Sequence, residues 1–206
     1  MRELKISKRA DPAYVEAFRK LAMRVARAAS LSAHLSTHLS TETSAKTPVT
    51  MYLAGGAAMH FYTGARMTDD IDAVFDRKIL VPADSTVIYR DARGQARSVY
   101  FDTNYNESYA LLHEDAHDDA WRLALEGMEG VQVMVLQPVD LAISKLARFS
   151  DIDRGDIAQL AKDGLITAKA LRLRAEDALP GYVGNLGPLK TSIMLACRDI
   201  ETLRSG

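Results

Sequence analysis

Apolar residues first recur at helical spacing. In DPAYVEAFRKLAMRVARAAS, Tyr14, Val15, Phe18, Leu21, Ala22 and Val25 fall at three- and four-residue intervals, which predicts a helix. Asp11 is placed to cap it, and Pro12 suits its first position. The Ser- and Thr-rich LSTHLSTETSAKTPVT reads as a loop or weak helix end. VTMYLAGG is a short apolar run closed by a glycine pair, AAMHFYTG has helix-forming composition, and DIDAVF reads as a strand. STVIYRDARGQARSVYFD holds two β-rich runs around ARGQ and predicts a hairpin. HEDAHDDAWRLAL reads as helical, and VQVMVLQP as a strand closed by Pro138. From VDLAISKLARF onward the pattern is helical, with breaks expected at Gly155, Gly164 and PGYVGNLGP. Mixed strands followed by helices predict an α+β sheet with a helical C-terminal part. The expected divisions are 1–47 for the N-terminal helix and Ser/Thr-rich loop, 48–137 for the core, and 138–206 for the helical part.

Composition narrows the class. The chain has 206 residues, 48% of them apolar, enough for one generous domain or a core with a helical appendage. A formal charge of -1 makes no whole-protein case for nucleic acid or membrane. The single Cys197 excludes an intramolecular disulfide and fits a reducing compartment. No apolar run approaches the roughly 18 residues of a membrane span. MRELKISKRADP lacks the apolar stretch of a secretory signal, so a soluble cytoplasmic protein is expected. Charge is uneven along the chain. Lys and Arg prevail in the first thirty residues, and carboxylates prevail from Thr68 to Gly130. These are either a cation-filled cleft with a positive wall or unrelated solvated faces.

The chemistry concentrates in two places. A strand that ends in Gly55-Gly56 and opens a helix lets backbone N–H groups approach a phosphate, with the helix N-terminus favouring the negative charge. On the next strand, Asp70 and Asp72 share one face while Ile71 and Ala73 point to the core. Asp69 falls off that face as a turn residue. Two carboxylates so placed suit a divalent cation, and Mg2+ prefers one or two carboxylates plus substrate phosphates. AGGAAMHFYTGARMTDDIDAVF, with its glycine pair, Arg66, Thr68 and Asp-x-Asp, resembles the polymerase-β-like nucleotidyltransferase superfamily. Within it the chain looks most like the AbiEii/AbiGii-type toxin nucleotidyltransferases and their uncharacterised relatives. A second block, PVDLAISKLARFSDIDRGDIAQL, resembles the C-terminal motif of those toxins, with Lys145 matching their lysine and Asp153 and Asp156 their acidic pair. The resemblance spans roughly 49–160.

That resemblance implies a polymerase-β-like core and transfer of a nucleotidyl group from an NTP to an acceptor hydroxyl. The metal would be Mg2+, with Mn2+ as the alternative, held by Asp70, Asp72 and the candidate third carboxylate, Asp102. Gly55, Gly56, Arg66 and Thr68 would hold the nucleotide. Lys145 would neutralise the triphosphate, and Asp153 would orient Lys145 or contact the acceptor, or it is a plain helix cap. Asp156 reads as a carboxylate at a helix N-terminus. The acceptor could be an RNA 3′ end, a protein or a small molecule, and a cognate antitoxin is an implied partner. The competing class is a degenerate, non-catalytic nucleotide-binding module acting through a protein partner. Asp102 reads equally as the first residue of the turn DTNYN. His113 and His117 are four apart, a zinc-compatible spacing without an obvious third ligand nearby. His60 reads as a packed or capping histidine, and Tyr52, Phe61 and Tyr62 as core. Cys197 has no neighbour in sequence that would activate it.

Overall fold

The computed structural model describes residues 2–36, 48–79, 81 and 85–205, with only the backbone described for 30–36 and 204–205. It is a mixed α/β structure that divides into two compact units, residues 1–105 with 121–135, and residues 106–120 with 136–206.

The first unit begins with α1, Pro12–Ser36. Asp11 Oδ1 accepts the backbone N–H groups of Ala13 (2.7 Å) and Tyr14 (3.3 Å), the capping the sequence predicts. Tyr14, Phe18, Leu21, Ala22 and Val25 are fully buried, so the stripe is the core face of the helix, whereas Val15 lies at its half-exposed edge. β1 (Val49–Leu53) leads into α2 (Gly55–Thr63), which is buried from Gly56 to Thr63. A helix apolar on all sides must be enclosed, and this one is. Phe18 and Phe61 meet edge to face at 5.0 Å.

DIDAVF is not one strand. It forms β2 (Asp70–Ile71) and β3 (Ala73–Phe75), and the chain changes sheets at Asp72. β2 pairs in parallel with β5 (Ala96–Phe101), which pairs antiparallel with β4 (Thr86–Arg90). β3 pairs antiparallel with β1 in a second sheet of order β3-β1-β7-β6. There β1 and β7 (Val131–Val135) run parallel, and β6 (Trp121–Leu123) is antiparallel to β7. Ile71 and Ala73 are buried on either side of the switch, as their alternation with the carboxylates requires. The β4–β5 hairpin forms as predicted. Asp91 Oδ1 accepts from the N–H groups of Arg93 and Gln95, and Gly94 supplies the left-handed residue at φ 77°. The outer edge of β6 is covered by the N-terminal segment, where Leu4 N–H donates to Arg122 O and Arg122 N–H to Arg2 O, both at 2.8 Å.

The second unit holds α3 (Pro138–Ile143), α4 (Asp151–Lys162), α5 (Ala168–Ala178), a 3-10 turn at Leu179–Gly181 and α6 (Leu186–Ser205). Gly155 lies inside α4 and Gly187 inside α6, so neither ends a helix. The break before α4 falls at Phe149, a non-glycine residue at φ 47°. Ser150 then opens α4 with a reciprocal capping box to Asp153.

HEDAHDD is not helical. His113–Asp119 is a run of turns, and only Trp121–Leu123 beyond it takes regular structure, as a strand. Side chains hold these turns. His113 Nδ1 accepts from Asp115 N–H (3.1 Å), its Nε2 bonds Asp177 Oδ2 (2.8 Å), and His117 Nε2 bonds Glu107 Oε1 (3.2 Å). The two histidines therefore serve different carboxylates. The Ser/Thr-rich loop expected after α1 falls largely outside the described residues, since 37–47 are not described.

Candidate functional site

The site forms where β1 ends, in the first unit. Ala54 N–H donates to Asp72 O at 2.9 Å, which brings the sheet-switching residue against the start of α2. Gly55 has φ +58°, and a Cβ there would lie 1.8 Å from Asp72 Oδ2. The residue is glycine both for its backbone and for the carboxylate packed on it. A Cβ on Gly56 would meet Thr68 Cβ and Cγ2 at 2.9 Å and Arg66 Nη1 at 3.0 Å. The glycine pair thus makes room for Asp72, Thr68 and Arg66 on the first turn of α2. Asp72 sits there with its negative charge at the end of the helix that favours it.

Asp70 follows two residues earlier on the same strand path. Thr68 Oγ1 donates to Asp70 Oδ1, so the Thr68 hydroxyl orients a carboxylate. Asp69 is exposed and joins the sheet through its backbone, its carbonyl accepting from Tyr100 N–H at 2.9 Å. The loop between α2 and β2 is tied down from behind. Gly64 N–H donates to His60 O (2.8 Å), Ala65 N–H to Thr63 Oγ1 (3.1 Å), and His60 Nδ1 bonds Arg66 O (2.8 Å). His60 Nε2 in turn accepts from Asp11 N–H at 2.9 Å. Burial, outweighing the carbonyl bond and nearby Asp11, moves the His60 pKa below its ordinary value. The histidine read as packed or capping is both: it is 2% exposed and bridges α1 to the site loop.

Asp102 stands one residue past the Ile71–Phe101 pairing, and its N–H donates to Ile71 O at 3.1 Å. Its Oδ1 accepts from Asn104 N–H at 2.8 Å, the turn-opening arrangement the sequence also allowed. Among the described residues, no group of three or more His, Cys, Asp or Glu is gathered as a metal would need. Asp70, held by Thr68, and Asp72, packed on Gly55, are the carboxylates that would hold a metal beside the glycine turn. That set fits a hard cation completing its shell with substrate phosphates and water.

The second conspicuous block lies in the other unit, with a partnership different from the one expected. Lys145 Nζ pairs with Asp156 Oδ2 at 2.8 Å, and both side chains are buried, at 6% and 7% exposure. Asp153, whose open readings were to orient Lys145, to contact the acceptor or simply to cap the helix, is the cap: it receives Arg148 (2.8 and 2.7 Å) and the N–H and hydroxyl of Ser150. Burial opposes ionisation of Asp153, but these donors prevail and hold its pKa down to about 2. Asp156 lies beyond the first turn of α4, so it is an ion-pair partner and not the helix N-terminal carboxylate expected. Sequence reasoning missed the neighbouring pair altogether. Asp140, fully buried, is gripped by Arg174 Nε (2.7 Å) and Nη2 (2.8 Å), and Arg174 also reaches Asp119 at 2.7 Å. No local spacing connects residues 34 apart. Phe61 and Tyr62 are core, as read, and Tyr52 is half-buried. Cys197 is buried with its thiol on Ala168 O, and burial pushes its pKa up despite Arg172.

Two mixed sheets, a glycine turn with Asp72 packed on it and C-terminal helices are consistent with a nucleotidyltransferase core. Residues 31–179 match a family described as nucleotidyltransferase of unknown function (DUF6036), and the chain belongs to that family. Neither a curated protein nor a solved structure gives a match. Among the described residues, no helix is long and apolar enough to cross a membrane.

Proposed function

We propose that this protein transfers a nucleotidyl group from an NTP to an acceptor hydroxyl, using Mg2+, or Mn2+ in its place, held by Asp70 and Asp72. The observation that carries the reading is the interlock of Gly55 with Asp72, beside an Asp70 oriented by Thr68. The cation, when bound, stabilises the attacking and leaving oxygens of an in-line displacement. Arg66, against Gly56, is placed to take a phosphate oxygen. The acceptor oxygen attacks the α-phosphorus, pyrophosphate leaves, and the acceptor proton passes to a site carboxylate, Asp70, Asp72 or Asp102. Lys145 has its charge matched by Asp156, so its role in neutralising phosphate is for substitution to decide.

The acceptor is an RNA 3′ end, a protein or a small molecule. Basic residues on α1, among them Lys20, Arg24 and Arg27, support RNA. The AbiEii/AbiGii-type resemblance supports a cytoplasmic toxin neutralised by an antitoxin partner. A second reading is a non-catalytic nucleotide-binding module, favoured by the commitment of Asp102 to its own turn. Labelled NTPs incubated with Mg2+ and total RNA or lysate separate the two. Transfer that disappears in Asp72→Ala supports the enzyme, and tight NTP binding without transfer to any acceptor supports the module.

A further inference from the structure

His60 lies one turn of α2 away from the glycine pair, and both its ring nitrogens are engaged by backbone groups. Nε2 faces a backbone N–H, that of Asp11, and must be the acceptor. Nδ1 then carries the hydrogen and donates to Arg66 O. The ring is neutral in one defined tautomer, clamped edge-on by Tyr14 at 4.7 Å. Its two bonds differ in what they hold. The Asp11 bond anchors the ring to the start of α1. The Arg66 bond fixes the loop that brings the Arg66 guanidinium onto Gly56 and, two residues on, Thr68 onto Asp70.

We propose that His60 is a positioning residue for nucleotide binding, acting through the Arg66 carbonyl to hold the Arg66–Thr68 loop over the glycine turn. The inference rests on the nucleotide-binding reading of that turn. A role confined to packing would depend on the ring alone. A positioning role depends on the Nδ1 donor.

Two substitutions separate these. Asn at 60 places an amide N–H where Nδ1 stands and lacks the distal acceptor. Gln places an amide oxygen near Nε2 and lacks the proximal donor. Both remove the same ring. Affinity for Mg·ATP and Mg·GTP is measured by calorimetry, alongside melting temperature and amide hydrogen exchange over residues 65–70 without nucleotide. His60→Asn should stay within about twofold of the parent affinity, while His60→Gln weakens it roughly fivefold, the worth of one hydrogen bond. Loop exchange should be faster in His60→Gln than in His60→Asn at similar melting temperatures. Equal weakening in both variants, or parent-like affinity and exchange in His60→Gln, would overturn the proposal. If the parent binds neither nucleotide, the nucleotide-binding reading fails, and the exchange comparison alone decides whether His60 holds the loop. Should either variant not fold, nitrogen NMR of His60 in the parent protein remains decisive, because a hydrogen on Nε2 instead of Nδ1 refutes the arrangement.

Discussion

A methyl group at residue 55 would land on the Asp72 carboxylate and would have to be carried at φ +58°. The left-handed backbone alone costs a non-glycine residue about 1–2 kcal/mol. Gly55→Ala should therefore lower stability by at least that amount in denaturant unfolding and abolish nucleotidyl transfer by displacing Asp72. The three acids of RMTDDIDAVF should separate just as clearly. Asp69 contributes its backbone to the sheet, so Asp69→Ala should leave transfer within about twofold and stability within about 0.5 kcal/mol. Asp70→Ala and Asp72→Ala should abolish transfer while retaining the folded circular dichroism spectrum. Asp72→Ala with parent-like activity would refute the assignment of the site. The exposure of Asp69 and the burial of Ile71 and Ala73 were legible in the sequence, because alternation along an extended chain is a local property. The contact of Asp72 with Gly55 was not, since it depends on the chain changing sheets at that residue.

At the scale of elements, α4 concentrates the polar interactions of the second unit. Ser150 and Asp153 cap it reciprocally, and Arg148 adds a charge-assisted pair to the same carboxylate. Ser150→Ala should cost about 1 kcal/mol. The Asp153 pKa lies near 2, below its ordinary 3.8, and its side chain is fully buried. A depressed carboxylate stabilises the fold above its ordinary pKa and loses that contribution as pH falls through the folded value. Stability should therefore drop by roughly 2 kcal/mol between about pH 4 and pH 2 on account of this group, and Asp153→Asn should flatten that part of the profile. The Lys145–Asp156 pair is tested by its halves. Lys145→Met removes the cation paired with a buried carboxylate and should cost about 3–5 kcal/mol, whereas the double variant Lys145→Met/Asp156→Leu should recover much of that loss. If the double variant is stable and still transfers nucleotide at the parent rate, Lys145 is structural. If it is stable and inactive, the Lys145–Asp156 pair is needed for transfer beyond its part in stability.

For the molecule as a whole, the helices α1 and α2, strands β1 and β7, the β4–β5 hairpin and the helical C-terminal part all carry strong local signals: an apolar period, a cap, or a glycine at a turn. HEDAHDD was misread because its composition suits a polar helix start. Its side chains instead find partners at Glu107 and Asp177, which no window around residue 115 contains. The split of DIDAVF is non-local for the same reason, since β5 pairs with its first half and β1 with its second. The sequence by itself determined most of the elements, the glycine pair, the Asp-x-Asp and the family they resemble, because these depend on neighbours within a few positions. Tertiary structure alone decided which polar groups are paired: Lys145 with Asp156, Arg174 with Asp140, Thr68 with Asp70, and His60 with the Asp11 N–H and the Arg66 carbonyl. A buried polar group must be paired, and its partner is whichever donor or acceptor the packed chain brings within about 3 Å.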